Sequence, residues 1–268
     1  MKHKIVVISP NPYSRYTLSV LYLLERNDIK IQGVILNKIL NLKRIKSEIS
    51  RDGVRLIRKI YRKLILKSAE NPTTNNDNII TYMQKNSMNF VSIPEFCQER
   101  NIDLIKTSDI NNLQAENFIK ERQPNCIIFT GGGLIRENII KHSGRGVINC
   151  HMGILPIYRG MDVVQWPILR GDFNNIGLTT HLMDKSIDTG DIIKRRNIEA
   201  KKFSSIGEMR NSMERQMPEF IVNSSIQLLN NEVVLEAQKE DEGKQYFIVN
   251  RRLEKYIDKA LKKFSNYG

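Results

Sequence analysis

The sequence predicts an α/β chain: a doubly wound, mostly parallel sheet with a helical basic insertion and a small C-terminal α+β appendage. Three observations carry this. Short apolar runs alternate with helical patterns through the first two thirds of the chain. A strongly basic stretch interrupts that rhythm between residues 42 and 67. Beyond residue 200 the pattern turns into one long helix and a short mixed tail. The expected division is a main domain over 1–200, with the insertion at about 42–88, and an appendage over 201–268.

The elements read in order as follows. "KIVVIS" (4–9) is a strand, and 14–27 is a helix capped by Ser14. "IKIQGVIL" (29–36) is the next strand. In 42–67, Ile45, Ile49, Leu56, Ile57, Ile60 and Leu64 recur at helical spacing, and Gly53 breaks the segment into two helices. A polar loop (70–78), a weak helix near 80–86 and a short strand at Phe90-Val91 follow. Residues 93–101 form a helix with Pro94 in its first turn, 103–108 a strand and 111–123 a helix. "NCIIFTGGG" (125–133) is a strand ending in glycines, 136–142 a short helix and "GVINCH" (146–151) the next strand. Residues 163–171 fit a helix, 176–184 and 191–200 a strand hairpin, and 205–231 a long helix. The tail carries a strand, "KQYFIVN", and a basic helix from Arg251. Successive strand–helix–strand units imply right-handed crossovers and hence the parallel sheet.

Composition narrows the class. With 40% hydrophobic and 26% charged residues, the 268-residue chain can bury a sizeable core. Its three cysteines, Cys97, Cys126 and Cys150, are sparse and lack CxxC spacing, so a reducing cytoplasmic setting without disulfides or structural zinc is expected. No segment reaches the roughly 20 apolar residues that cross a bilayer. The net charge of +13 calls for a polyanionic partner. The segment 43–67 holds ten Lys or Arg against Glu48 and Asp52, a net +8. The bland reading is a helical pair with a solvated basic face. The sharper one is attachment to an anionic membrane surface. Tyr61 is the lone aromatic among those cations, which argues against single-stranded nucleic acid as the partner.

The stretch "GVINCHMGILPIYRG" (146–160) raises the question of chemistry. On a strand, Asn149 and His151 project from one face, about 6–7 Å apart. They end a strand, where open α/β sheets place ligands. From geometry alone, turn hydrogen bonds and catalysis are equal readings. In "HLMDKSIDTGDII" (181–193), His181 reads as a structural histidine, and Asp184, Asp188 and Asp191 as turn residues. Neither stretch has metal-ligand spacing, so no metal is expected. Gly131-Gly132-Gly133 is neither a dinucleotide fingerprint nor a P-loop, but it offers bare backbone to a flat ligand. An amide donor, an imidazole and a carboxylate at one cleft suit acyl-type transfer.

Taken together, "INCHMGILPIYRG" and "IGLTTHLMDKSIDTGDII" resemble the signature of folate-dependent formyltransferases. That family includes glycinamide ribonucleotide transformylases, methionyl-tRNA formyltransferases and sugar N-formyltransferases. Its pattern is Asn-x-His, Leu-Pro-x-Tyr/Trp-x-Gly and, further on, His-x(6)-Asp-x-Gly. Here these are Asn149, His151, Leu155, Pro156, Tyr158, Gly160, His181, Asp188 and Gly190. The resemblance implies a Rossmann-like domain that uses 10-formyltetrahydrofolate. It implies Asn149, His151 and Asp188 as catalytic residues. It also implies a pterin pocket built from the backbone of Gly132, Gly133, Leu134, Ile135, Asp184, Lys185, Ser186 and Ile187.

The departures point to a branch. After the first strand "SPNPYSRYT" lacks the glycine-rich phosphate loop of the glycinamide ribonucleotide enzymes. Gly153 stands where the family has Ser, and "GMDVVQWPIL" differs from the usual helix start. About 80 residues follow Asp188, too few for the added barrel of methionyl-tRNA formyltransferases beside a long helix. The expected substrate is therefore a nucleotide-linked aminosugar in surface polysaccharide (lipopolysaccharide or O-antigen) biosynthesis, with a homodimer formed through the tail. The alternatives are a methionyl-tRNA formyltransferase-like enzyme and a non-catalytic folate or nucleotide-sugar binding protein of the same fold.

Overall fold

The computed structural model describes residues 3–37, 78–131 and 133–267. The basic segment 42–67 and Gly132 lie outside the described residues, so the readings made on them have no structural counterpart. Among the described residues no helix is long and apolar enough to cross a membrane.

Strand β1 (Lys4–Ser9) leads into helix α1 (Arg15–Arg26), whose first turn is capped by the Ser14 hydroxyl accepting from Thr17 N–H. Strand β2 (Lys30–Asn37) follows, and the described chain resumes at α2 (Ile79–Lys85) and α3 (Ile93–Glu99). Helix α3 opens with a capping box between Ser92 and Glu95 and has proline in its first turn. Next come β3 (Leu104–Thr107), α4 (Leu113–Arg122), β4 (Cys126–Phe129), α5 (Glu137–Ile140) and β5 (Val147–His151). The remainder is β6 (Tyr158–Gly160), α6 (Gln165–Leu169), β7 (Gly177–Leu182), β8 (Ile192–Asn197), α7 (Ile206–Leu229), β9 (Lys244–Tyr246) and α8 (Arg251–Tyr267).

Seven strands form one sheet in the order β3-β2-β1-β4-β5-β7-β8. The first five run parallel, and β7 and β8 are an antiparallel hairpin added at the β5 edge. This is the doubly wound, mostly parallel sheet expected from the sequence. The strand order reverses between β1 and β4, the place where such sheets open a crevice.

Side-chain alternation sorts the strands into two cores. Ile5 and Val7 of β1 and Ile148 and Cys150 of β5 face α1 and α7, with Leu18, Leu21, Met213 and Phe220. Val6, Ile8, Ile127 and Val147 face α4 and α5, with Phe118, Ile119 and Ile139. Asn149 and His151 share the face of Val147, where the strand runs on toward its carboxyl end.

Three local expectations change, and the long helix stands as expected. Phe90-Val91 is not a strand: the backbone N–H groups of Asn89 and Phe90 donate to the Tyr22 hydroxyl, and the Phe90 ring packs on Tyr22 and Phe96. A side chain and a ring cluster thus replace the sheet partner. The helix expected over 163–171 is shortened to 165–169, with Pro167 in its first turn, where its missing N–H costs nothing. The tail strand stops at Tyr246 and pairs in parallel with β6 as a separate two-stranded sheet. The long helix keeps Pro218 inside it.

Candidate active site

Antiparallel pairing puts Asn149 of β5 directly opposite His181 of β7. Asn149 Nδ2 lies 3.2 Å from His181 Nε2. His181 Nδ1 lies 2.8 Å from the Leu182 carbonyl, an acceptor, so Nδ1 carries the proton. The lone pair is then on Nε2, which accepts one N–H of the Asn149 amide. That bond fixes which end of the amide is nitrogen and leaves a second N–H free. Asn149 is half-buried, as is Asp188, while His151 and His181 are buried.

Burial pushes the His181 imidazole down to about 4, more than the Asp188 charge raises it; the nearby His151 lowers it further. A neutral His181 makes the 3.5 Å approach of Asp188 Oδ1 to its Nε2 a contact between acceptors, not an ion pair. The carboxylate charge is therefore left to His151.

His151 Nε2 lies 2.9 Å from the Tyr158 carbonyl, and Nδ1 lies 3.5 Å from Asp188 Oδ2. Both ring nitrogens face acceptors: Nε2 is within hydrogen-bond distance of the Tyr158 carbonyl, and Nδ1 makes a longer contact with the Asp188 carboxylate. Asp188 Oδ2 also accepts the Gly160 N–H at 2.9 Å. The Leu-Pro-x-Tyr-x-Gly segment thereby acquires a physical meaning. Tyr158 and Gly160, two residues apart on β6, use backbone groups to hold the imidazole and the carboxylate. Gly160 has φ 94, and a β-carbon there would collide with the Tyr246 carbonyl. The Tyr158 hydroxyl donates to Asp172 at 2.7 Å, which anchors the segment from below.

Asp188 arrives by a turn that folds back over the sheet. The turn leaves β7 where Met183 N–H bonds the Val147 carbonyl, at the start of β5, and returns Asp188 to His151, at its end. Asp184 accepts from Ser186 N–H and the Thr189 hydroxyl, which closes the turn. Gly190 sits against the Leu182 carbonyl, where no β-carbon fits.

Gly153 has a similarly local reason. A β-carbon there would lie 2.8 Å from His151 Nε2 and 2.9 Å from Val163 Cγ2. Gly153→Ser therefore displaces the imidazole from the Tyr158 carbonyl. The expected result is a fall in turnover of roughly ten- to a hundredfold with little change in melting temperature, checked by kinetics and the ring's NMR shifts.

His181 gives a second expected outcome. The folded state holds it neutral down to about 4, while the unfolded chain protonates from 6.5 downward. The unfolded state thus binds more protons in that window, so stability is full above 6.5 and is lost as pH falls toward 4. Denaturant midpoints across the window should fall less for His181→Gln than for the parent chain.

The residues expected to line a pterin pocket lie in loops on either side of Asn149. Phe129 of β4 pairs with Asn149, so the loop carrying Gly133, Leu134 and Ile135 leaves the sheet on one side. The turn with Asp184, Lys185, Ser186 and Ile187 follows β7 on the other. Leu134 and Ile187 expose apolar side chains, while Ile135 is buried in the second core and offers only backbone. Asn111 bonds the Leu134 carbonyl and Arg136 N–H, which fixes that loop.

Local pattern makes His181 a structural histidine, and the structure buries it with partners on both ring nitrogens; what local pattern leaves out is its place opposite Asn149 and the contact made by Gln238. The signal for His181 was available: it lies in the strand that pairs with β5, and its own motif position precedes Asp188. Gln238 Nε2 bonds the carbonyls of Asp188 and Gly190, and no local pattern announces a contact 50 residues away.

A family model described as formyl transferase matches residues 65–224. The methionyl-tRNA formyltransferase of Caldanaerobacter subterraneus subsp. tengcongensis is 26% identical over 168 residues, 62% of this chain and 54% of that protein. The chain spans about half the length of the curated relatives it matches. Among solved structures, glycinamide ribonucleotide transformylase 1 from Symbiobacterium toebii superposes with a TM-score of 0.57 at 10% identity, over 89% of this chain and 95% of that one. The N-formyltransferase from Helicobacter canadensis, solved with folinic acid and dTDP-3-aminofucose, superposes with a TM-score of 0.56 at 14% identity, over 100% of this chain and 82% of that one. At these identities the structural likeness shows the fold alone.

Proposed function

The chain belongs to the formyl transferase family, and we propose that it moves a formyl group from 10-formyltetrahydrofolate to the amine of a nucleotide-linked aminosugar in surface polysaccharide biosynthesis. One observation carries the reading: Asp188 lies 3.5 Å from both His151 and His181, and His181 takes the Asn149 amide, so an amide, two imidazoles and a carboxylate converge at the carboxyl end of β5. A binding protein has no need of an amide donor, an imidazole and a carboxylate converging in this way.

The folate co-substrate supplies the formyl group. Its flat ring fits the exposed apolar side chains of Leu134 and Ile187 and the adjoining backbone. As an amine attacks the formyl carbon, negative charge develops on the formyl oxygen. The free N–H of Asn149 donates to that oxygen in a partly desolvated site, where such a bond is worth most. The His151 imidazolium, paired with Asp188, adds positive charge nearby. Asp188 holds that imidazolium and, through water, takes the proton from the attacking amine; collapse of the tetrahedral adduct then breaks the bond from the formyl carbon to N10, and the same water path delivers the proton to N10 of the departing tetrahydrofolate.

The aminosugar reading is supported by the Helicobacter canadensis structure, which spans this whole chain and was solved with a nucleotide-linked aminosugar. The loop after β1, without a glycine cradle, points the same way. A second reading, with methionyl-tRNA as acceptor, is favoured by the name of the Caldanaerobacter relative. Incubation with 10-formyltetrahydrofolate and a panel of nucleotide-linked aminosugars, with methionyl-tRNA beside them, separates the two. Folate release with an aminosugar alone is expected. Formylation of methionyl-tRNA with a steep salt dependence would replace this reading with the second.

A further inference from the structure

The match to the family ends at residue 224, yet the turn that carries Asp188 is held from beyond it. After α7 the chain returns as a strap to the edge of the hairpin. Glu236 exchanges backbone hydrogen bonds with Ile192 at 2.8 and 3.0 Å, and its carboxylate pairs with Arg195 at 2.6 and 2.7 Å. Two residues on, Gln238 Nε2 donates to the Gly190 carbonyl at 2.6 Å and to the Asp188 carbonyl at 3.2 Å. Its Oε1 accepts from Arg159 Nε at 3.3 Å, and Arg159 also donates to the Lys239 carbonyl at 2.9 Å. Two acceptors on one side and a guanidinium on the other fix the amide in one orientation. Asp188 needs such a hold, because it is a non-glycine residue at φ 55.

We propose that Gln238 is a positioning residue for formyl transfer: its amide clamps the backbone of the Asp188 turn and so keeps the carboxylate on His151. Arg159 ties the clamp to β6, so the strap, the turn and the segment that holds His151 form one unit. The inference rests on the reading of Asp188 as a partner of His151 in transfer. It assigns the tail a part in the chemistry that the matched region does not supply.

The test uses Gln238→Glu in the full chain. This isosteric change keeps an acceptor for Arg159 but turns a carboxylate oxygen onto two carbonyls. The expected turnover is lower by roughly ten- to a hundredfold, with KM for the donor within about twofold. In an Asp188→Asn background the same change should alter turnover by less than about twofold, since coupled residues are not additive. Gln238→Ala, which removes the bonds without repulsion, should lose a smaller part of the rate and serves if the Glu variant does not fold. An activity-independent readout is hydrogen exchange at Gly160 N–H, which donates to Asp188 and should exchange faster in both variants. Unchanged turnover with unchanged Gly160 exchange, or an equal loss in the Asp188→Asn background, overturns the proposal. A wild-type chain that transfers no formyl group strikes the function reading, while the exchange result still decides whether the clamp exists.

Discussion

Asn149→Ala should lower turnover by about 10²–10³ while binding of an unreactive folate analogue stays near that of the parent chain. The separation follows from where the side chain sits. One N–H of the amide is spent on His181 Nε2, and the other is free to meet the formyl oxygen as charge develops on it. That second bond strengthens only during reaction, so its loss falls on kcat rather than on binding. The ring of the co-substrate is proposed to lie on Leu134 and Ile187, which the substitution leaves in place. Steady-state kinetics and titration calorimetry with the analogue check the two halves. Near-normal turnover would remove Asn149 from the chemistry.

Asp188→Asn should cost about 10²–10⁴ in turnover with the fold intact. The amide keeps the shape of the carboxylate and can still accept the Gly160 N–H. What it loses is the charge facing His151 Nδ1 at 3.5 Å. With its oxygen kept on the Gly160 N–H, the Asn still faces His151 with an acceptor and turns its NH₂ toward His181 Nε2, so the loss is one of charge. His181 cannot compensate, because burial holds it neutral. Kinetics with thermal melts test this, and a large fall in both turnover and melting temperature would assign Asp188 to the fold instead.

The sequence made the sheet legible because its signals are local. Each parallel strand is a short apolar run closed by polar or glycine residues, as in "KIVVIS" and "NCIIFTGGG". Phe90-Val91 was misread because an apolar pair looks the same whether a neighbouring strand or a tyrosine hydroxyl satisfies its backbone. At the site, period-two alternation was enough to place Asn149 and His151 on one face. It could not show that His181 stands opposite Asn149, since that depends on the register between β5 and β7. The contributions of Tyr158 and Gly160 were hidden for a different reason. They act through the backbone carbonyl and N–H, which every residue carries. Gln238 combines both difficulties, as a side chain from the tail that bonds backbone in the hairpin turn.

The cluster of Asn149, His151 and Asp188 is proposed to transfer a formyl group to an amine. A single-turnover reaction with 10-formyltetrahydrofolate carrying an isotopically labelled formyl carbon tests it most directly. Wild-type chain in excess over the donor, mixed with a nucleotide-linked aminosugar, should move the label onto the sugar amine, and Asp188→Asn should do so far more slowly. Label that stays on the folate, or that reaches the amine equally fast with Asp188→Asn, would contradict it.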